Sequence, residues 1–370
     1  MLIKNALVYS EDHTLKPGDV AVENGVFAAQ AGGETIDASG CYAIPGLLDI
    51  HFHGAAGFDF CDATPEALEA IADYEAKNGV TSICPASMTL SEETLTKVYL
   101  NAAACKGGLK GAALVGINME GPFFSMAKRG AQNPKYLMNP DSAMFERLQK
   151  ISGNLIKICC LAPELDGATD FIRAHAGEAV ISIAHTEADY ETARSAIRHG
   201  ATHVTHLFNG MPPLTHRAPG VIGAAFDGGC EAELIADGFH IHPSAVRAAF
   251  ALFGERIILI SDSLMAAGLP DGDYSLGELP LRVVGGRATL SNGTIAGSTT
   301  NLMGCVRTAV LEMGIPLETA VRAASEAPAR SIGVFDTRGS IAPGKVADLV
   351  LLDQKSLAVR KVILRGAVYI

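Results

Sequence analysis

The sequence predicts an α/β protein: a (β/α)8 TIM-type barrel with a small β-sandwich domain built from both chain termini. Three observations carry this. Between about residue 44 and residue 338, short apolar runs alternate with helical segments. Both chain ends instead carry short apolar runs broken by turn signals. Histidines and carboxylates stand where the central runs end, which is the rim at which barrels do chemistry. The expected boundaries are 1–44 plus 341–370 for the small domain and 45–340 for the barrel.

The amino-terminal stretch reads as β structure. Apolar runs such as Leu2-Ile3 and Ala6-Leu7-Val8-Tyr9 occur among the turn signals Pro17-Gly18-Asp19, Glu23-Asn24-Gly25 and Gly32-Gly33. Asn-Gly between apolar runs is a strong hairpin signal. A few short strands alone are marginal, and the runs at 347–352, 361–364 and 367–369 supply partners for them.

In the central part the candidate strands are 44–51, 80–86, 112–119, 156–161, 179–184, 201–205, 232–236 and 256–261. Runs as continuous as Ile257-Ile258-Leu259-Ile260 suit parallel strands buried on both faces. The first helix opens with a cap and a proline, Thr64-Pro65-Glu66, and closes at Asn78-Gly79. Thr186-Glu187-Ala188-Asp189 is another cap signal. Residues 270–297 are rich in glycine and read as a β-hairpin insertion after the last barrel strand, turning at Gly285-Gly286.

Composition narrows the function. Hydrophobic residues are 48% and charged residues 19% of 370, a globular balance. The net charge of −11 argues against a nucleic-acid binder, which needs a basic face. It leaves room for a small anionic substrate, since a few local arginines suffice for one phosphate. No signal peptide is visible, and no uncharged apolar run is long enough to span a bilayer, so no membrane partner is expected. The eight cysteines lack a Cys-x-x-Cys pair and read as reduced thiols of a cytoplasmic protein.

The candidate chemistry begins at Pro45-Gly46-Leu47-Leu48-Asp49-Ile50-His51-Phe52-His53-Gly54. On a strand His51 and His53 share a face and can hold one divalent ion. Later strand ends offer Glu120, His185, His206, the run Ala236-Asp237-Gly238-Phe239-His240, and Asp262. Each alone can be a helix cap or a loop bond; together they suit Zn2+, Fe2+ or Mn2+ better than Mg2+ or Ca2+. His203 has the opposite strand parity to His206 and is expected to face the helices. Arg217, in the polar loop after the sixth strand, is the leading candidate for gripping an anionic group.

These residues resemble the amidohydrolase superfamily, in Ile36-Asp37-Ala38-Ser39-Gly40, the His-x-His strand and Gly339-Ser340-Ile341-Ala342-Pro343-Gly344-Lys345-Val346-Ala347-Asp348-Leu349. More narrowly, several motifs are similar to the N-acetylglucosamine-6-phosphate deacetylase family: Glu120-Gly121-Pro122-Phe123, His206-Leu207-Phe208-Asn209-Gly210-Met211, Ala236-Asp237-Gly238-Phe239-His240, Ser261-Asp262 and Ala296-Gly297-Ser298. They run in the family's order over essentially the whole chain.

The resemblance implies hydrolysis of the acetamide of N-acetyl-D-glucosamine 6-phosphate. Glu120, His185 and His206 would bind the main metal, and His51, His53 and Asp262 a second. One or two divalent ions per chain are expected, Zn2+ or Fe2+ first, with Mn2+ or Co2+ as further options. Asp262 would be the catalytic acid/base, and His240 would contact the substrate near the scissile bond. Ala131, Gln132, Asn209, Gly210, Arg217, Ile295, Ala296, Gly297 and Ser298 would line the sugar-phosphate site. A homodimer is implied, with Arg217 or His216 reaching the neighbouring chain's phosphate site. Gln132 departs from those members that carry histidine there.

Three rivals stand beside this reading. An N-acetylgalactosamine-6-phosphate deacetylase differs at one sugar hydroxyl. A dihydroorotase- or hydantoinase-like cyclic-amide hydrolase would need a bridging carboxylated lysine, and Lys157 lies early in its strand, away from the mouth. A non-catalytic scaffold would have lost its metal ligands.

Overall fold

In the computed structural model, which describes residues 1–277 and 279–370, the apolar runs of the two chain ends pair into one eight-stranded sheet. Its order is Ala367–Val368, Val359–Leu364, Leu349–Asp353, Cys41–Pro45, Leu2–Tyr9, Leu15–Glu23 and Val26–Ala28, with Thr35–Asp37 also beside Leu2–Tyr9. The Asn-Gly signal holds: Asn24 (φ 51°) and Gly25 (φ 82°) turn the chain between two of these strands. Pro17-Gly18-Asp19 does not turn but lies within Leu15–Glu23. The irregularity falls opposite, where Asn5 (φ 64°) bulges and its N–H donates to Asp19 Oδ1 at 3.1 Å.

The central runs form parallel strands. Leu47–Asp49, Val80–Ile83 and Ala113–Leu114 make a three-stranded sheet. Ile117–Met119, Ile156–Leu161, Val180–Ile183, His203–Val204, Glu231–Ile235 and Ile257–Ile260 make a six-stranded one. Backbone bonds join the two sheets at both seams. Asn118 donates to Pro85 O at 2.9 Å on one side, and Asp262 donates to His51 O at 2.9 Å on the other. Side chains alternate as the strand period requires. Ile257 and Leu259 share a core cluster with Val306 and Val321, from helices that lie against this strand. Ile258 and Ile260 pack instead with Leu48, Ile50, Ile158 and Ile235 from other strands.

The first of these strands is shorter than expected. Ile44 and Pro45 belong to the terminal sheet, paired with Val350 and Leu349. Gly46 carries the chain between the sheets, and a Cβ there would sit 2.1 Å from Thr81 Oγ1, so only glycine passes.

Helices begin where their caps predict. Thr64 accepts from Ala67 N ahead of Pro65–Lys77, which ends at Asn78 and Gly79 (φ 85°). In Thr186-Glu187-Ala188-Asp189 the cap is Asp189, accepting from Thr192 N at 2.8 Å, while Thr186 bonds Glu164. The expected hairpin insertion has a third strand: Gly272–Leu276, Leu279–Val284 and Arg287–Leu290 form an antiparallel sheet, turning at Gly285 and Gly286. Residue 278 of that insertion lies outside the described residues. Among the described residues no helix is long and apolar enough to cross a membrane, and all eight cysteines are free.

Ile258, fully buried between strands, tests the packing. We expect Ile258→Ala to lower stability by about 2–5 kcal/mol, seen as a lower denaturant midpoint. Leu311→Ala, at a site 52% exposed, should stay within about 0.5 kcal/mol.

Candidate metal centre

Six ionisable side chains meet just beyond the carboxyl ends of these strands. His51 and His53 follow Leu47–Asp49, Glu120 follows Ile117–Met119, and His185, His206 and Asp262 each stand two residues past a strand. Three of them turn the chain in the left-handed region: His185 (φ 43°), His206 (φ 28°) and Asp262 (φ 49°). That conformation disfavours side-chain-bearing residues by about 1–3 kcal/mol each and persists only where the surroundings fix it.

Glu120 is the centre of the cluster. Its Oε1 lies 3.1 Å from His185 Nε2, 3.3 Å from His206 Nε2 and 3.5 Å from His51 Nε2. Its Oε2 lies 3.3 Å from His53 Nε2 and accepts from Gln132 Nε2 at 2.9 Å. Asp262 Oδ1 stands 3.4 Å from His53 Nε2 and 3.8 Å from His51 Nε2. All six side chains are buried.

The outer nitrogens of the rings are all engaged. His185 Nδ1 lies 2.8 Å from Lys128 O, His206 Nδ1 3.1 Å from Asn209 O, and His53 Nδ1 3.3 Å from Ala86 O. His51 Nδ1 lies 2.8 Å from Glu233 Oε2. Each acceptor takes the Nδ1 hydrogen, so a neutral ring turns an Nε2 lone pair to the centre. The Nε2 atoms of His185 and His206 then face each other at 3.1 Å. Two lone pairs at that distance repel unless a cation lies between them.

A divalent ion fits this donor set. Ligand atoms about 2.0–2.1 Å from one tetrahedral ion lie about 3.3–3.4 Å apart, close to the separations here. Two overlapping triads, His51/His53/Glu120 and Glu120/His185/His206, each keep their ligand atoms within 4.8 Å of one another. His51 Nε2 is buried without a hydrogen-bond partner. Burial would lower the His51 pKa, but the Glu233 and Glu120 carboxylates carry it well above the usual imidazole range. The carboxylates favour positive charge at this spot, which a divalent ion would supply.

A pocket opens over the cluster, and most of the expected residues line it. They are His53, Glu120, His185, His206, His240, Asp262, Ala131, Gln132, Asn209, Gly210, Ile295 and Gly297. His51 is buried beneath them. Gln132 has both ends of its amide committed, to Glu120 and to Thr89 N at 2.8 Å. Ala296 is buried, and Ser298 Oγ bonds Ser261 O at 2.6 Å, so these two hold the segment from behind. Arg217 is not brought in: it is exposed, bonds His216 at 2.7 Å and lines a separate cleft with Tyr190 and Pro212. Lys157 does not line the pocket.

One expectation is corrected. His203 does not face the helices; it points among the strands, fully buried, with Nδ1 2.9 Å from Ser182 Oγ. It sits in register with Ser182, and the left-handed turn at His206 breaks the parity on which the expectation rested.

One residue, Glu233, escaped the sequence reading, and a second, Asp237, is named there without a role. Glu233 is a fully buried carboxylate inside the run Ala232-Glu233-Leu234-Ile235, and an acid within an otherwise apolar strand is the signal that could have found it. Asp237 Oδ2 lies 2.7 Å from His240 Nδ1, which leaves His240 Nε2 for the pocket. Burial would lower the His240 pKa, but the bond and charge of Asp237 raise it. Burial would likewise raise the Asp262 pKa, yet the bond from His53 and the charges of His51, His53 and His206 hold it below its usual value.

With this geometry in hand, the chain can be compared with known proteins. The profile of the amidohydrolase family matches residues 42–368. The chain is 37% identical over 95% of its length to N-acetylglucosamine-6-phosphate deacetylase of Bacillus subtilis, covering 93% of that protein. It is 36% identical over 87% of its length to N-acetylgalactosamine-6-phosphate deacetylase of Escherichia coli O157:H7, covering 86% of it. Among solved structures, a mutant N-acetyl-D-glucosamine-6-phosphate deacetylase from Mycobacterium smegmatis, in complex with N-acetyl-D-glucosamine-6-phosphate, superposes with a TM-score of 0.93 at 33% identity. That match covers 100% of this chain and 98% of the other.

Metal-stripped protein should gain thermal stability when Zn2+ is added, because the assembled donor set of the folded state binds the ion more tightly than the unfolded chain does. Glu120 belongs to both triads, so Glu120→Gln should abolish most of that gain. An undiminished rise in melting temperature in the variant would mean the ion binds elsewhere.

Proposed function

We infer that this chain, which belongs to the amidohydrolase family, is a metal-dependent deacetylase that hydrolyses the acetamide of N-acetyl-D-glucosamine 6-phosphate to glucosamine 6-phosphate and acetate, in amino-sugar catabolism. The observation that carries this reading is the convergence of Glu120, His51, His53, His185 and His206 beside Asp262 at the floor of one pocket.

Glu120, His185 and His206 would hold one ion and His51, His53 and Asp262 a second, bridged by Glu120. The donor set of imidazoles and carboxylates favours Zn2+ or Fe2+. When bound, such an ion supplies Lewis acidity, polarising the amide carbonyl and easing deprotonation of water near neutral pH. Asp262, kept ionised by its histidine neighbours, takes the proton from the attacking water through a carboxylate oxygen. His240, fixed through Nδ1 by Asp237 and acting as the imidazolium that this carboxylate favours, directs Nε2–H at the oxygen on which negative charge develops. Asp262 then returns the proton to the amine nitrogen as the C–N bond breaks. Ala131, Gln132, Asn209, Gly210 and the segment from Ile295 to Gly297 line the space for the sugar.

The two parallel sheets and their joined seams support a (β/α)8 barrel over 45–340, with the terminal sheet as a small β-domain from 1–44 and 341–370. This reading includes a homodimer in which Arg217, exposed and outside the pocket of its own chain, serves the phosphate site of the other chain. Eight free cysteines support a cytoplasmic setting.

A second reading has its own support in the galactosamine relative, and the two sugars differ at a single hydroxyl. Acetate release from a panel of N-acetylhexosamines, with and without a 6-phosphate, separates them. We expect the metal-loaded protein to deacetylate N-acetyl-D-glucosamine 6-phosphate fastest. Asp262→Asn should lower kcat by about 10²- to 10⁴-fold with little change in KM. A variant that keeps full activity would remove Asp262 from the chemistry.

A further inference from the structure

Among the histidines of the cluster, His51 is set apart by its outer partner. The Nδ1 atoms of His53, His185 and His206 meet neutral backbone carbonyls, whereas His51 Nδ1 meets the Glu233 carboxylate at 2.8 Å. The same Glu233 Oε2 accepts the backbone N–H of His206 at 3.1 Å, at the residue held in the left-handed region. One fully buried oxygen thus touches a ligand of each triad. Its sister, Oε1, has no hydrogen-bond partner and lies 3.9 Å from His203 Nε2, which has none either.

Below them a polar chain runs between the strands. His203 Nδ1 meets Ser182 Oγ at 2.9 Å, Ser182 meets Thr205 Oγ1 at 2.6 Å, and Thr205 meets Cys160 Sγ at 3.2 Å. Leaving a carboxylate in such a place disfavours folding strongly unless it is answered by charge. Hydrophobic residues fill the neighbouring positions of the same space, so packing alone does not call for an acid there.

We propose that Glu233 is the positioning residue of the metal centre. It accepts the Nδ1 hydrogen of His51, which fixes the ring with Nε2 toward the ion and makes that nitrogen a stronger donor, while it pins the His206 backbone. It touches neither substrate nor reacting atoms. The proposal rests on the metal-centre reading above and adds a carboxylate behind the ligands to it.

The test measures ions rather than turnover. Metal-stripped parent, Glu233→Leu and Glu233→Gln proteins are titrated with Zn2+ against a chromophoric chelator, and Co2+-loaded samples are compared by their visible absorption bands. Glu233→Leu removes the acceptor; Glu233→Gln keeps the shape and an acceptor oxygen but removes the charge. We expect Leu to weaken at least one ion by about 10- to 100-fold and to alter the Co2+ bands, with Gln in between. A loss smaller than about fivefold for every ion in folded E233L overturns the proposal. If circular dichroism shows E233L unfolded, E233Q decides, and a loss below about twofold for every ion with unchanged Co2+ bands then overturns the proposal. A parent that takes up no ion overturns the proposal together with the metal reading. A parent that binds metal but releases no acetate overturns the deacetylase reading, and the affinities still decide the role of Glu233.

Discussion

The organising constraint of this protein is a set of imidazoles whose outer hydrogens are already committed. With Nδ1 of His53, His185 and His206 held by backbone carbonyls and that of His51 by a carboxylate, the inner nitrogens have lone pairs to present. Packed around Glu120, they make a concave patch of electron density that repels itself until a cation sits there. The site is therefore a binding site before it is a catalytic one. The position of Asp262, close to the His51 and His53 rings, follows from the same need to offset charge.

The strands serve this arrangement by where they stop. Parallel strands deliver all their carboxyl ends to one side, so residues distant in sequence arrive at one rim without long loops. The left-handed turns at His185, His206 and Asp262 then aim side chains that simple alternation would have sent elsewhere. Their strain is tolerable because backbone bonds clamp the same residues, as where Asp262 N–H meets His51 O and His206 N–H meets Glu233. Ligands and scaffold are here the same residues: their side chains face the site while their backbone groups tie neighbouring strand ends together.

Much of this was legible in the sequence, for physical reasons. Apolar runs of β-branched and aliphatic residues mark buried strands, and His51, Glu120, His185, His206 and Asp262 stand out as a set, because so many strand ends at one rim do not carry imidazoles and carboxylates by independent accident. Boundaries were less legible: nothing in Ile44 or Pro45 says that they pair with Val350 and Leu349 rather than with the next strand. His203 misled because parity is a rule for uninterrupted strands, and the interruption is a backbone angle. Glu233 escaped because its partner, His51, is far away in the chain, so its place inside an apolar run marks it as buried without saying what it serves. Pro17-Gly18 misled in the other direction, since a bulge at Asn5 lets the opposite strand carry a turn signal straight through.

The pairing of Cys41–Pro45 with Leu349–Asp353 has a consequence for how the molecule comes into being. The strand that hands on to His51 is made well before its partner, with the whole ligand set from His51 to Asp262 lying between the two in the chain. Until that partner is made, the segment before Gly46 has one open edge and lacks its support on that side. The backing of the first ligand pair is thus completed only after every residue of the cluster has been made.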